Sequence, residues 1–108
     1  MDNLKQLMQL GQKMQEKMKS LQDSLDQERI SSSSGAGMVR VTVDGKGSVK
    51  SVKIDPSCVD STDLEMLEDL LVGALSDAQD KAHSVYQRKV RKATGGFPMN
   101  IPGLPKLF

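Results

Sequence analysis

From position 2 to 28 the apolar residues Leu4, Leu7, Met14, Met18, Leu21 and Leu25, with Gly11 completing the series, recur at alternating spacings of three and four. That spacing is a heptad seam along one face of a helix. No proline interrupts it, and Gln, Lys, Glu and Met are good helix formers. The pattern predicts a helix over about 2–28, roughly 40 Å long at the usual rise per residue. Gly11 weakens the helix locally but permits close approach of a neighbour. A domain this small cannot hide the whole stripe, so part of it is expected to meet another chain.

Past this helix the period changes. Val39, Val41 and Val43 alternate with Arg40 and Thr42, which is the two-residue repeat of a strand with one buried face. Asp44-Gly45 then reads as a tight turn of the kind that tolerates positive φ. A returning strand follows over Ser48–Ile54, with Val52 and Ile54 in phase, Val49 out of phase, and a bulge near the turn as the remedy. Before these strands, Ser31-Ser32-Ser33-Ser34-Gly35-Ala36-Gly37 fits either a flexible linker or an edge strand with a glycine hairpin. Two strands alone are marginal, which favours a third strand from the serine tract.

A second helix is expected over about 62–94. Thr62-Asp63-Leu64-Glu65 has the form of a capping box, and acids crowd the first turns where the helix dipole favours them. Leu64, Leu67, Leu71, Ala74, Leu75, Ala78, Ala82 and Val85 form its apolar stripe. Gly95, Gly96 and Pro98 stop it. The tail over 95–108 sets Phe97, Met99, Ile101, Leu104, Leu107 and Phe108 among glycines and prolines. It is either disordered or laid extended on a surface; its apolar content favours partial docking, with the other subunit a candidate.

With 108 residues the chain allows one domain, here read as 1–94 plus the tail. It has no Trp, one Tyr and two Phe, so the core must be small and aliphatic, and small cores often need a partner chain. The start carries no signal-peptide pattern, no apolar run reaches membrane-spanning length, and a single Cys58 suits a reducing compartment. A cytoplasmic location is expected. Net charge is only +1, but its layout is uneven. Residues 1–54 carry +3, residues 55–80 carry eight acids and no base, and residues 81–108 carry six bases and no acid.

Several segments together resemble the YbaB/EbfC family of bacterial nucleoid-associated proteins: Ser34-Gly35-Ala36-Gly37, the Val39/Val41/Val43 strand, the Asp44-Gly45 turn and Ile54-Asp55-Pro56. Glu65-Met66-Leu67-Glu68-Asp69-Leu70, Ala74, Asp77-Ala78, the run Met14-Gln15-Glu16-Lys17-Met18 and the Gly/Pro tail extend the likeness over nearly the whole chain. The departures are Asp44 where Asn is frequent, Cys58 where Leu is expected, and a missing Gly-rich leader. The resemblance implies an α+β fold of α-β-β-β-α order in two layers, with a three-stranded antiparallel meander and two long helices. It also implies a homodimer with helices projecting like tweezer arms, binding double-stranded DNA in the nucleoid. It supplies no residue-level contact motif that maps onto this chain.

Contact residues are therefore read from charge. Lys81, Arg88 and Lys92, spaced seven and four, share one edge of the second helix, with Lys89 and Arg91 beside them. Lys13 and Lys17 lie four apart on the first. These seven are the expected phosphate contacts. Cations at a helix C-terminus also serve the dipole and solubility; the resemblance tips the balance toward phosphate. Nothing points to catalysis. One His and one Cys lie 25 residues apart without a nucleophile motif. His83 is read as structural or exposed, and Cys58 as a small packing residue. The acids of 60–69 complement the helix dipole more simply than they bind a cation. Gly35-Ala36-Gly37 makes a hairpin and no phosphate loop, because a strand follows it. No cofactor, metal, membrane or small-molecule substrate is expected. The rival reading is a non-enzymatic adaptor for recombination or replication machinery, engaging partners through the seam and the tail. Which surface joins the dimer (seam, sheet edge or tail) stays open.

Overall fold

The computed structural model describes residues 2–93, so the expected tail over 95–108 lies outside them. The elements run α1 Asp2–Gln27, β1 Ile30–Ser34, β2 Val39–Val43, β3 Val49–Ile54, a single 3₁₀ turn Pro56–Cys58, and α2 Leu64–Ala93. This is the expected α-β-β-β-α order, and the serine tract is the third strand. The sheet is an antiparallel meander in the order β1-β2-β3.

Register explains why the serines belong in the sheet. Ser32 pairs with Val41 and Ser34 with Val39, so both share the face on which Val39, Val41 and Val43 are completely buried. On that face α2 lies across β1 and β2. It presents Ala74, Ala78 and Ala82, all buried and four residues apart. Small residues on both sides let the helix backbone approach the strands closely. The buried Ser32 hydroxyl and the half-buried Ser34 hydroxyl are not left unpaired, as burial demands. Ser32 donates to the Asp77 carboxylate, and Ser34 donates to the Leu70 carbonyl at 2.6 Å. On the opposite face Ser31 and Thr42 share a hydrogen bond of 2.9 Å.

The β1–β2 hairpin turns through Gly35, Ala36 and Gly37, with φ of 61°, 58° and 88°. Two glycines make that left-handed path cheap. Between β2 and β3 the pairing steps from Thr42↔Ser51 to Val43↔Val49, leaving Lys50 as the extra residue of a bulge. The bulge returns Val49 to the face of Val52 and Ile54, as its phase required.

Three expectations need correction. The Asp44-Gly45 turn carries its positive φ at Gly47, at 86°, and not at Gly45. Gly45 is required for space: an added Cβ would lie 2.8 Å from Leu25 Cδ2 and 2.9 Å from the Leu25 carbonyl oxygen. Thr62 does not cap α2. Its amide and hydroxyl both bind the Asp60 carboxylate, and Asp63 accepts from the Met66 amide at 3.2 Å. A carboxylate one residue later is the better N-cap acceptor once Asp60 has taken the hydroxyl. On the apolar stripe Leu64 is 53% exposed, while Leu70, absent from the expected stripe, packs on the core.

Only the C-terminal end of α1 is docked. Leu25 is buried and its carbonyl accepts from the Gly45 amide at 2.8 Å. Leu4, Leu7, Met14 and Met18 of the seam remain exposed, as do Met8 and Leu10. The molecule is accordingly elongated, with extents of 73 × 25 × 18 Å.

Candidate nucleic-acid interface

The last turns of α2 meet the second half of α1. The contact is held by Lys89, whose ammonium lies 3.0 Å from Glu28 Oε1 and donates to the Ser24 hydroxyl. Around this staple the two helices leave an open groove of about 590 Å³, lined in part by Lys13, Lys17, Lys89 and Lys92. A smaller hollow of about 320 Å³ brings Arg88 beside Lys89 and Lys92. Five of the seven residues singled out by charge thus gather where α1 and α2 meet, although Lys13 and Lys92 are 79 positions apart. Arg91 is exposed on the same turn of α2. Lys81 lies two turns before Arg88.

The gathered cations are not equivalent. Lys89 is half-buried and engaged, so it serves first as a link between helices. Lys81 sits 3.3 Å from Asp77 in an exposed pair one helical turn apart, an arrangement of little net energy. The Asp77 carboxyl is held below its usual range, mainly by the Ser32 hydroxyl and then by Lys81. Lys13, Lys17, Arg88 and Lys92 are exposed and form no ion pair among the described residues. Glu16 is the acid in the larger groove. The reading from charge missed Ser24 and Glu28, which position Lys89. Nothing local marks them, since Ser24 is 65 residues from its partner.

Charge along α2 is segregated. Glu65, Glu68 and Asp69 stand at its start; Arg88, Lys89, Arg91 and Lys92 stand at its end, roughly 35 Å away along the axis. The helix dipole favours this order at both ends. A polyanion is drawn to one end of α2 and repelled from the other.

The rest of the described surface offers little reactive chemistry. Cys58 is buried, with its thiol donating to the Asp55 carbonyl at 3.0 Å. His83 is half-buried on α2. Among the described residues no group of three or more His, Cys, Asp or Glu could hold a metal ion. None of their helices is long and apolar enough to cross a membrane.

Known proteins resemble this chain along most of its length. It is 46% identical over 102 residues to a nucleoid-associated protein of Paramagnetospirillum magneticum, covering 94% of each chain. It is 41% identical over 108 residues to one from Rhodospirillum rubrum, covering 100% of both. Among solved structures, an uncharacterized protein of Helicobacter pylori superposes with a TM-score of 0.67 at 27% identity, over 84% of this chain and 92% of that one. The sequence profile of the YbaB/EbfC DNA-binding family matches residues 1–97. The chain therefore belongs to the YbaB/EbfC DNA-binding family.

Proposed function

We propose that the protein binds double-stranded DNA as a homodimer through its basic helical arms, in the cytoplasmic nucleoid, with a role in chromosome organisation or gene regulation. The observation that carries this reading is the convergence of Lys13, Lys17, Arg88 and Lys92, exposed and without carboxylate partners among the described residues, where α1 and α2 meet. Lys81, Lys89 and Arg91 lie near enough to assist. Lys89 can do so only by sharing its ammonium with Glu28.

Cations spread over two helices suit a phosphate backbone better than base edges, so weak sequence preference is expected. The scarcity of aromatic residues argues against single-strand recognition by stacking. Four such cations in each of two copies neutralise about eight phosphates, which gives a log–log salt slope near −7. Titration of a random duplex at two salt concentrations tests this. Affinity indifferent to salt, or no binding at low salt, contradicts the reading.

One observation favours the rival reading of an adaptor. Leu4, Leu7, Met8, Leu10, Met14 and Met18 leave most of α1 with an exposed apolar face. Such a face suits a protein partner. Capture of a partner that survives nuclease digestion, with no duplex binding by the purified chain, decides for it.

A further inference from the structure

Every residue of α1 from 3 to 20 is exposed. Its large apolar side chains there, Leu4, Leu7, Met8, Leu10, Met14 and Met18, are between 55% and 66% open. A helical stretch of this length is marginal in water unless its apolar face is packed. The end of α2 leads the chain to that face. Lys89 meets Ser24 and Glu28, whereas Ala93, one turn later, lines the groove with Lys17, Ser20 and Leu21. The two helices therefore run antiparallel here, and the chain leaves Ala93 heading toward Met18, Met14 and the first turns of α1. Farther along that course a shallow hollow lies against Leu7 and Leu10.

The sequence that follows Ala93 has a period of its own. Pro98, Pro102 and Pro105 deny it a continuous helix and push Phe97, Ile101 and Leu104 to extended backbone. Extended proline-rich chain turns once every three residues. On that period Ile101, Leu104 and Leu107 share one edge with Pro98. Met99 and Phe108 share a second with Pro102 and Pro105. Asn100, Gly103 and Lys106 fall on the third. Two edges are apolar and one is polar, which is the pattern of a ribbon with one side packed and one side wet.

We infer that residues 98–108 lie as a polyproline-type strap along the apolar face of α1 in their own chain. Length allows it. Pro98 to Leu107 spans roughly 28 Å at the polyproline rise, and Met18 to Leu4 spans roughly 21 Å at the helical rise. The residues from Thr94 to Phe97 add up to roughly 13 Å for passage from the groove to the seam. Spacing allows it as well. Side chains on one edge of the strap recur every ~9 Å, close to the ~10.5 Å of a heptad along α1, so each row can seat between the residues of the other. The chain's own tail is the occupant because it starts in the groove: a short tether holds it at a local concentration in the millimolar range. The inference needs neither the duplex reading nor the homodimer reading. A protein partner reaches this face of α1 only by displacing the strap.

The test uses the full chain with a nitroxide on Asn100→Cys, on the polar edge, while the buried Cys58 stays unlabelled. Amide NMR signals of residues 4–18 should be lost and should return when the nitroxide is reduced, with the signals of β2 sharp throughout. Ile101→Ser, Leu104→Ser and Leu107→Ser together should speed hydrogen exchange at residues 4–18 by at least ~10-fold. Lys106→Ser, on the polar edge, should leave it unchanged. Circular dichroism checks folding in each case. Signals of residues 4–18 that survive the label overturn the inference, as does equal exchange in the triple variant and the wild type. A mixture of labelled, unenriched chain with isotope-enriched, unlabelled chain separates the sources: loss of the same signals there gives the strap to a second copy and overturns the own-chain assignment. Protection of α1 that grows with protein concentration does the same. Should the triple variant fold poorly, the labelled chain decides.

Discussion

Lys89 and Glu28, 61 positions apart in sequence, form a half-buried ion pair of 3.0 Å that ties the end of α2 to the residue just beyond α1. With the Ser24 hydroxyl on the same ammonium, this pair sets how the two helices of the basic groove stand to one another.

Replacing Lys89 by Met removes that link while keeping the aliphatic stem. Stability should fall by about 1 kcal/mol, as for a charged hydrogen bond in a partly wet site. Hydrogen exchange in the second half of α1 should accelerate, because that end of α1 loses an anchor. Exchange unchanged from wild type would show that Leu25 alone holds the helix in place.

Charge removal separates phosphate-binding cations from structural ones. Arg88→Gln with Lys92→Gln should weaken duplex binding for every sequence alike. The salt slope should fall by about one for each phosphate no longer neutralised, doubled if two copies bind. Lys81→Gln, at an ion-paired site, should do less. Anisotropy titrations between about 50 and 200 mM salt measure both. Equal losses for Lys81 and for the Arg88/Lys92 pair would refute the division.

Gly45→Ala should destabilise the fold by about 1–3 kcal/mol, the usual cost of overpacking. The new methyl meets the Leu25 carbonyl oxygen at 2.9 Å, and backbone cannot rotate away. Gly11→Ala, where an added Cβ meets nothing within 4 Å, should instead be neutral or stabilising. Urea midpoints of the two variants provide the comparison.

Asp44 predicts an acid limit to stability. Burial pushes its carboxyl up, but the amides of Ser48 and Lys46 and the charge of Lys50 outweigh that and hold it below its ordinary value. A folded-state pKa below the unfolded one means that the carboxylate contributes stability at pH above the unfolded value, about 3.9. The contribution is lost as pH falls through the folded value. The urea midpoint should therefore drop below about pH 4, and Asp44→Asn should flatten that drop while lowering stability at neutral pH. An unchanged acid limb in Asp44→Asn would assign the effect to other carboxylates, such as Asp77.

Much of the architecture was already legible in one dimension. Alternation in Val39–Val43 and the three–four spacing of α1 and α2 are local periodicities, and only one backbone conformation turns each into a continuous apolar face. The bulge beside Val49 followed from the same logic, since a phase error in a strand can be repaired by one extra residue. Capping was less legible, because Asp60, Thr62 and Asp63 compete for the same few amides and their geometry chooses between them.

Chain periodicity and charge order thus specified the elements, their sequence and the basic end of α2. The fold alone decided three further matters: that the serines of β1 and the alanines of α2 form one close interface, that Lys89 is spent on Glu28, and that β3 stays uncovered. Each depends on where a helix lies relative to a strand or helix remote in sequence. A residue's own neighbours carry no record of that placement, because it is settled by which small side chains permit the closest approach and how many strands one helix is wide enough to cover.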